Sequence, residues 1–230
     1  YDILVGTQMV AKGHDVANVT LVGVVSADVG LGMPDFRAAE RTFQLLTQVA
    51  GRAGRGELLG EVLLQTLNTD HYAIEFAARQ DYEGFYRKEL HFRRMMRYPP
   101  FTAMASLIVR GKKLEEALRL SGELGRRFAE PPEGVRVMGP AAPPIVKLKT
   151  DFRYQFLIKA RSRKKLSELL ATARRFAMEK NWPPTALVID VDPLSLMYGH
   201  DISCPGSIRA AAVAGLLQPR RTARSPRGLH

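Results

Sequence analysis

The stretch Gln44–Gly56, QLLTQVAGRAGRG, sets Gln48, Arg52 and Arg55 at i, i+4 and i+7. On a helix that spacing shares one face. Gly51 and Gly54 sit beside the arginines and remove side-chain bulk there, and no acidic residue lies between Thr42 and Gly56. Two guanidinium forks beside glycines suit phosphate oxygens. The same letters also describe a helix end, where glycine stops the helix and arginine meets the negative end of its dipole. Spacing alone leaves both readings open.

Before this stretch, Asp2 to Gly6 is expected to form a short buried strand that runs into GTQMVAKGHD, Gly6 to Asp15. A glycine-bracketed polar loop at a strand's carboxyl end is where α/β sheets gather ligand contacts. Thr7 and backbone N–H groups there suit a phosphodiester, and Lys12 adds charge. An ordinary turn with a capping Asp15 is the alternative. VTLVGVVSA, Val19 to Ala27, is apolar and β-branched, as a buried parallel strand should be. Asp35, after Pro34, is expected to cap a helix beginning at Phe36, with Ala38, Ala39, Phe43, Leu46, Val49 and Ala50 on its apolar side. EVLLQT, Glu61 to Thr66, is a further strand. The pattern is that of an α/β lobe.

After this stretch, His71 to Arg79 and Tyr82 to Met96 read as two helices, closed by Tyr98-Pro99-Pro100-Phe101 because paired prolines stop a helix. Then come a strand (Phe101 to Arg110), a helix (Leu114 to Phe128), a strand (Val135 to Gly139), a hairpin (Pro144 to Lys149 with Phe152 to Ala160), a helix (Ser162 to Lys180) and a strand (Thr185 to Asp192). The expected inward residues of the first helix are Leu114, Ala117, Leu118, Ser121, Leu124 and Phe128. The order suggests an α+β sandwich with both helices on one sheet face. Lys147, Lys149, Arg153 and Lys159 alternate with apolar residues along the hairpin, so one sheet face is expected to be basic. Arg161, Arg163, Lys164 and Lys165 follow at a helix start, where the dipole disfavours cations. Phosphate or acidic-peptide contact is expected there.

The chain has 230 residues, 46% of them hydrophobic and 25% charged, and a net charge of +11. Residues 1–98 carry 11 Lys/Arg against 12 Asp/Glu, and residues 99–197 carry 18 against 10, so the positive excess belongs to the second half. Such an excess attracts nucleic acid. No apolar run approaches the roughly 20 residues that span a bilayer, and no membrane partner is expected. One cysteine, Cys204, rules out an internal disulfide and a cysteine-cluster metal site within the chain.

GTQMVAKGHD followed by QLLTQVAGRAGRG resembles motifs V and VI of superfamily 2 helicases. The intervening ADVGLGMPDFRAAERTFQLLTQ resembles the primosomal replication-restart DNA helicase family, PriA or primosomal protein N′. An RNA helicase of the DEAD-box type would more usually start motif VI with His-Arg, where this chain has Gln48-Val49. The resemblance implies ATP and Mg²⁺ as cofactors. Arg52 and Arg55 would act as arginine fingers on the γ-phosphate, with Gln48 aligning that site and Gly51 and Asp15 beside the nucleotide. Thr7, Gly13 and Lys12 would hold DNA phosphates.

YPPF, VMGPAAPPIVKLKTDFRYQFLIKA and VIDVDPLSLM resemble that family's C-terminal domain. The resemblance there implies contacts to forked and single-stranded DNA through Lys147, Lys149 and Arg153. It also implies contacts to single-stranded DNA-binding protein and other primosome proteins. The expected organisation is a C-terminal part of a second, RecA-like helicase lobe with a parallel sheet (1–69), then a helical linker (70–98). An α+β C-terminal domain (99–197) and a disordered basic tail (198–230) complete it.

The chain departs from the helicase pattern in lacking a G-x-x-x-x-G-K-[ST] loop and the acidic Mg²⁺ motif. The family's zinc-binding cysteines would lie upstream of Tyr1. The chain is therefore expected to be a fragment with no ATPase activity of its own, from a protein of the bacterial cytoplasm and nucleoid. A non-catalytic module that binds single-stranded DNA and its binding protein is the alternative.

Overall fold

The computed structural model describes residues 3–7, 18–54, 58–148 and 150–196. Two sheets organise them. In the first, β1 (Leu21–Val24) runs parallel to β2 (Glu61–Leu64), with Leu21 opposite Glu61 and Val24 opposite Leu64. A parallel pair needs a crossover, and here it contains a one-turn helix α1 (Asp28–Leu31) and the longer α2 (Ala38–Ala50). Helix α3 (Tyr72–Ala78) packs on α2, and α4 (Tyr82–Met95) packs on α3. Phe43 of α2 stacks on Phe85 of α4 with ring centroids 4.0 Å apart, inside a core that includes Leu46, Ala73, Ile74 and Ala77.

The second sheet holds β3 (Ala103–Gly111), β4 (Val135–Ala141), β5 (Lys147–Leu148), β6 (Asp151–Ala160) and β7 (Leu187–Val191). Its order is β4-β6-β3-β7, with β5 also on β6, and every pairing is antiparallel. Helices α5 (Leu114–Arg127) and α6 (Arg163–Glu179) both cover one face. Leu107 stands opposite Phe156 and Ala105 opposite Ile158, all fully buried beneath Leu120, Leu124 and Leu166. Removing a side chain such as Phe156 from this core costs about 3–5 kcal/mol.

Several expectations are corrected. Ile3–Thr7 form no strand and are exposed. The run at 19–27 yields only four strand residues, and Leu21 and Leu63 remain more than half exposed. A buried parallel strand needs cover on both faces, and β1 and β2 are flanked by no third strand among the described residues. Helix α2 begins at Ala38, two residues later than expected. Asp35 does accept the Arg37 N–H, at 3.0 Å, but its carboxylate also serves a second purpose described below. In α5 the buried stripe is Ala117, Leu120, Ser121 and Leu124, an i, i+3, i+4, i+7 set. Leu118 lies off that stripe and Leu114 is the first residue of the helix, and both are exposed. Residues 197–230 lie outside the described residues.

Candidate functional site

Helix α2 stops at Ala50 and then tightens. Gly51 donates to the Thr47 carbonyl at 3.0 Å, whereas Arg52 N–H reaches Val49 O at 3.0 Å and Ala53 N–H reaches Ala50 O at 3.2 Å. The change from i−4 to i−3 acceptors winds the chain into a 3₁₀-like turn. Gly54, at φ +72°, redirects it and donates to Val19 O at 3.0 Å, which ties the turn to the start of β1. A Cβ at Gly60 would lie 2.5 Å from the Ala53 carbonyl carbon, so only glycine permits the turn to rest on the approach to β2.

The outcome places Gln48 exposed on the last helical turn, Gly51 exposed and Arg52 half-buried beyond the helix. Of the two readings that spacing left open, the helix end is the one found: the helix stops between Gln48 and Arg52. Arg55 lies outside the described residues, as do Lys12, Gly13 and Asp15. Thr7 is exposed in the irregular stretch before them. An amide side chain, a glycine and a guanidinium on adjoining turns have the chemistry to meet the charged end of a triphosphate. Among the described residues no group of three His, Cys, Asp or Glu side chains could hold a metal ion.

The basic hairpin face is also corrected. Arg153 is 1% exposed, and its Nε and Nη2 donate to the Ile145 carbonyl at 3.1 and 2.6 Å. It cannot reach a DNA strand from there. The proline-containing segment 142–146 crosses that face and supplies the acceptor. Lys159, on the same face, donates to Met96 O at 3.1 Å and lies 3.4 Å from the centre of the Tyr98 ring. Burial, and then the nearby Arg136 charge, hold its ammonium below the usual lysine range. Lys147 is exposed, and Lys149 is outside the described residues. At the start of α6 the Ser162 hydroxyl caps Lys165 N–H at 3.3 Å. Arg163 pairs with Asp192 at 2.7 Å, and Lys165 Nζ donates to Glu133 O at 2.5 Å. Arg161 and Lys164 remain exposed.

Three polar clusters escaped sequence reasoning. In the first, Asp28 accepts from Asn68 Nδ2 at 2.8 Å, Leu67 N–H at 2.9 Å and the Thr66 hydroxyl at 2.8 Å, joining the ends of β1 and β2. Those hydrogen bonds hold its carboxyl down at about 2. The second is centred on Arg93, which donates to Glu89 at 2.6 Å and to Glu40 at 2.7 Å, while the Tyr72 hydroxyl donates to Glu89 at 2.7 Å. Burial, reinforced by Glu89, pushes the Tyr72 phenol up. The third joins Asp35 and Arg41 to residues 194–196. The only sequence signal for it was the pair of opposite charges in PDFRAAER.

Residues 94–194 match the family model described as the primosomal protein N C-terminal domain. The chain is 43% identical over 199 residues to a protein of Bacillus subtilis, a match covering 85% of the chain and 25% of the relative. It is 40% identical over 198 residues to one of Chlamydia pneumoniae, covering 86% and 26%. A Synechocystis protein matches at 40% over 198 residues, covering 85% and 23%. Each of these relatives is named replication restart protein PriA. The chain thus spans about a quarter of the length of the curated relatives it matches. On the domain match and these identities, the chain belongs to the PriA family of replication restart proteins.

Proposed function

We propose that the chain is part of an ATP-dependent 3′→5′ DNA helicase that recognises stalled forks and restarts replication by primosome assembly. One conjunction carries the reading: the Gln48, Arg52 and Arg55 spacing at the end of α2 and a PriA C-terminal domain occupy one polypeptide. Bound ATP would supply the phosphoryl group, held on the other lobe, which would carry the phosphate loop and Mg²⁺. Arg52 and Arg55 would neutralise charge at the γ-phosphate. Gln48 orients that contact, Gly51 leaves room for it, and Asp15 couples it to the upstream loop. Thr7, Gly13 and Lys12 hold strand phosphates. In the second half, Lys147, Lys149, Arg161 and Lys164 are the cations offered to DNA or to the acidic tail of single-stranded DNA-binding protein.

The site of action is the bacterial cytoplasm, and no helix among the described residues is long and apolar enough to cross a membrane. Zinc would belong to a part of the protein outside this chain. The 230 residues alone should not hydrolyse ATP, because they lack the phosphate-binding loop. The test is strand displacement by a full-length protein carrying this chain, on forks with one single-stranded arm of either polarity. ATP-dependent displacement of the strand met in the 3′→5′ direction is expected; no displacement of either would overturn the reading.

The separate, fully covered core of the second half favours a second reading, a non-catalytic module for single-stranded DNA and its binding protein. Under that reading the full-length protein would bind forks yet show no DNA-stimulated turnover.

A further inference from the structure

Helix α2 carries the Arg52 turn at one end, and its other end is held by the segment that follows β7. The Asp35 side chain is fully buried. It accepts from Arg37 N–H at 3.0 Å, Arg41 Nη1 at 3.2 Å and Leu196 N–H at 3.2 Å. Arg41 Nη2 donates in addition to the Leu194 carbonyl. A buried carboxylate that loses one of its donors is costly, so this contact resists partial opening. A second tie lies beside it. Arg93 bridges Glu40 at 2.7 Å and Pro99 O at 3.4 Å, and Phe36 stacks on Tyr98 with centroids 5.0 Å apart. Lys159 of β6 lies on that same Tyr98 ring. The contacts of Asp35, Phe36, Glu40 and Arg41 all fall within residues 35–41, and Pro99 and Lys159 extend them through Arg93 and Tyr98.

A 13-residue helix is a stiff rod of about 20 Å. Movement at Asp35 is therefore carried to the other end. There one backbone bond, Gly54 N–H to Val19 O, closes the turn on β1.

We propose that Asp35 and Arg41 are positioning residues. By strapping α2 to Leu194–Leu196 they set where the Arg52 turn points, so that docking of the C-terminal domain is felt at the nucleotide-facing end of α2. The proposal rests on the reading of Arg52 as a phosphate-facing group. The strap itself can be tested without nucleotide.

The experiment is amide hydrogen exchange on the 230-residue chain. Arg41→Gln is the informative variant, because the Arg41 side chain is nearly half exposed and lies in neither core. In it, the Gly54 amide should exchange about fivefold faster or more, while α3 core amides keep their wild-type rates. Asp35→Asn should give the same pattern, and Arg41→Lys should restore part of the protection. Arg119→Gln, which breaks an exposed pair with Glu123 on α5, should leave Gly54 unchanged. Faster exchange at Leu196 with Gly54 unchanged in both Arg41→Gln and Asp35→Asn would overturn the proposal. A uniform rise across α2, α3 and α4 would also overturn it, since that is loss of stability rather than of aim. Full ATP turnover by Arg52→Ala in the full-length protein would instead overturn the underlying reading, and the exchange pattern would still decide the strap.

Discussion

Lys147 and Phe152 stand directly opposite each other on β5 and β6, with the ammonium 5.1 Å from the ring centroid. Paired residues of antiparallel strands share a face, and successive residues alternate. Lys147 therefore lies on the opposite face from Arg153. Lys147→Glu is expected to weaken single-stranded DNA binding and make the plot of log affinity against log salt shallower by about one unit or more. Lys159→Met should leave that slope unchanged and instead lower stability by about 1 kcal/mol, through its lost contact with Tyr98. Salt titrations of both variants beside the wild type check the distinction.

The Arg93 side chain is nearly buried between Glu89 and Glu40, and Glu89 is buried as well. Removing one partner of a buried pair leaves an uncompensated charge. Arg93→Leu is expected to cost about 3 kcal/mol, read as a lower urea midpoint with the slope retained. The double variant Arg93→Leu with Glu89→Gln should recover part of the loss.

Acid stability should report on Asp28. Its carboxyl titrates at about 2 in the folded chain against 3.8 ordinarily, so the folded state binds its proton later as pH falls. The stabilisation is complete above about pH 4 and is lost as pH drops from there through about 2. In Asp28→Asn the pH dependence of stability over that window should flatten, measured by thermal melting at closely spaced pH values.

His71 gives a second window. Its Nδ1 accepts the Ala73 N–H at 3.1 Å as the cap of α3, and burial holds the imidazole below its usual 6.5. Glu89 acts in the opposite direction, and the Tyr72 ring stacks on the imidazole. With the burial effect larger, the unfolded chain protonates first. Stability is full above about pH 6.5 and declines as pH falls toward the lower folded value. His71→Asn keeps a capping acceptor and should remove this decline; denaturant midpoints at pH 7.5 and 5.5 would show it.

The second half was legible in order and type because each element there satisfies a local rule. Leu107, Val109, Phe156 and Ile158 alternate, and Leu166, Leu169, Leu170 and Ala173 recur at helical spacing onto one core. Parity along β6 was legible too, but not what covers each face. The segment 142–146, which supplies the acceptor for Arg153, has no periodicity to announce where it lies. The exposure of β1 escaped for a similar reason: Leu21 is apolar enough for an interior, but burial depends on neighbouring strands rather than on the residue. In Gln44–Gly56, spacing found the arginines and glycines and left the helix end undecided. That choice was made by Gly54 and Gly60, whose close backbone approach is a tertiary fact. Asp35 looked like a local cap, yet its third donor is the Leu196 N–H, from a distant part of the chain.

The most direct measurement is DNA-stimulated ATP hydrolysis by the full-length protein carrying this chain, with and without Arg52→Ala. The expected result is a fall in kcat of about 10³-fold, the size seen when an arginine finger is removed. Fork affinity should stay within about twofold, since the loss concerns the transition state rather than binding. An Arg52→Ala protein that hydrolyses ATP at the wild-type rate would contradict the assignment of that turn to the nucleotide.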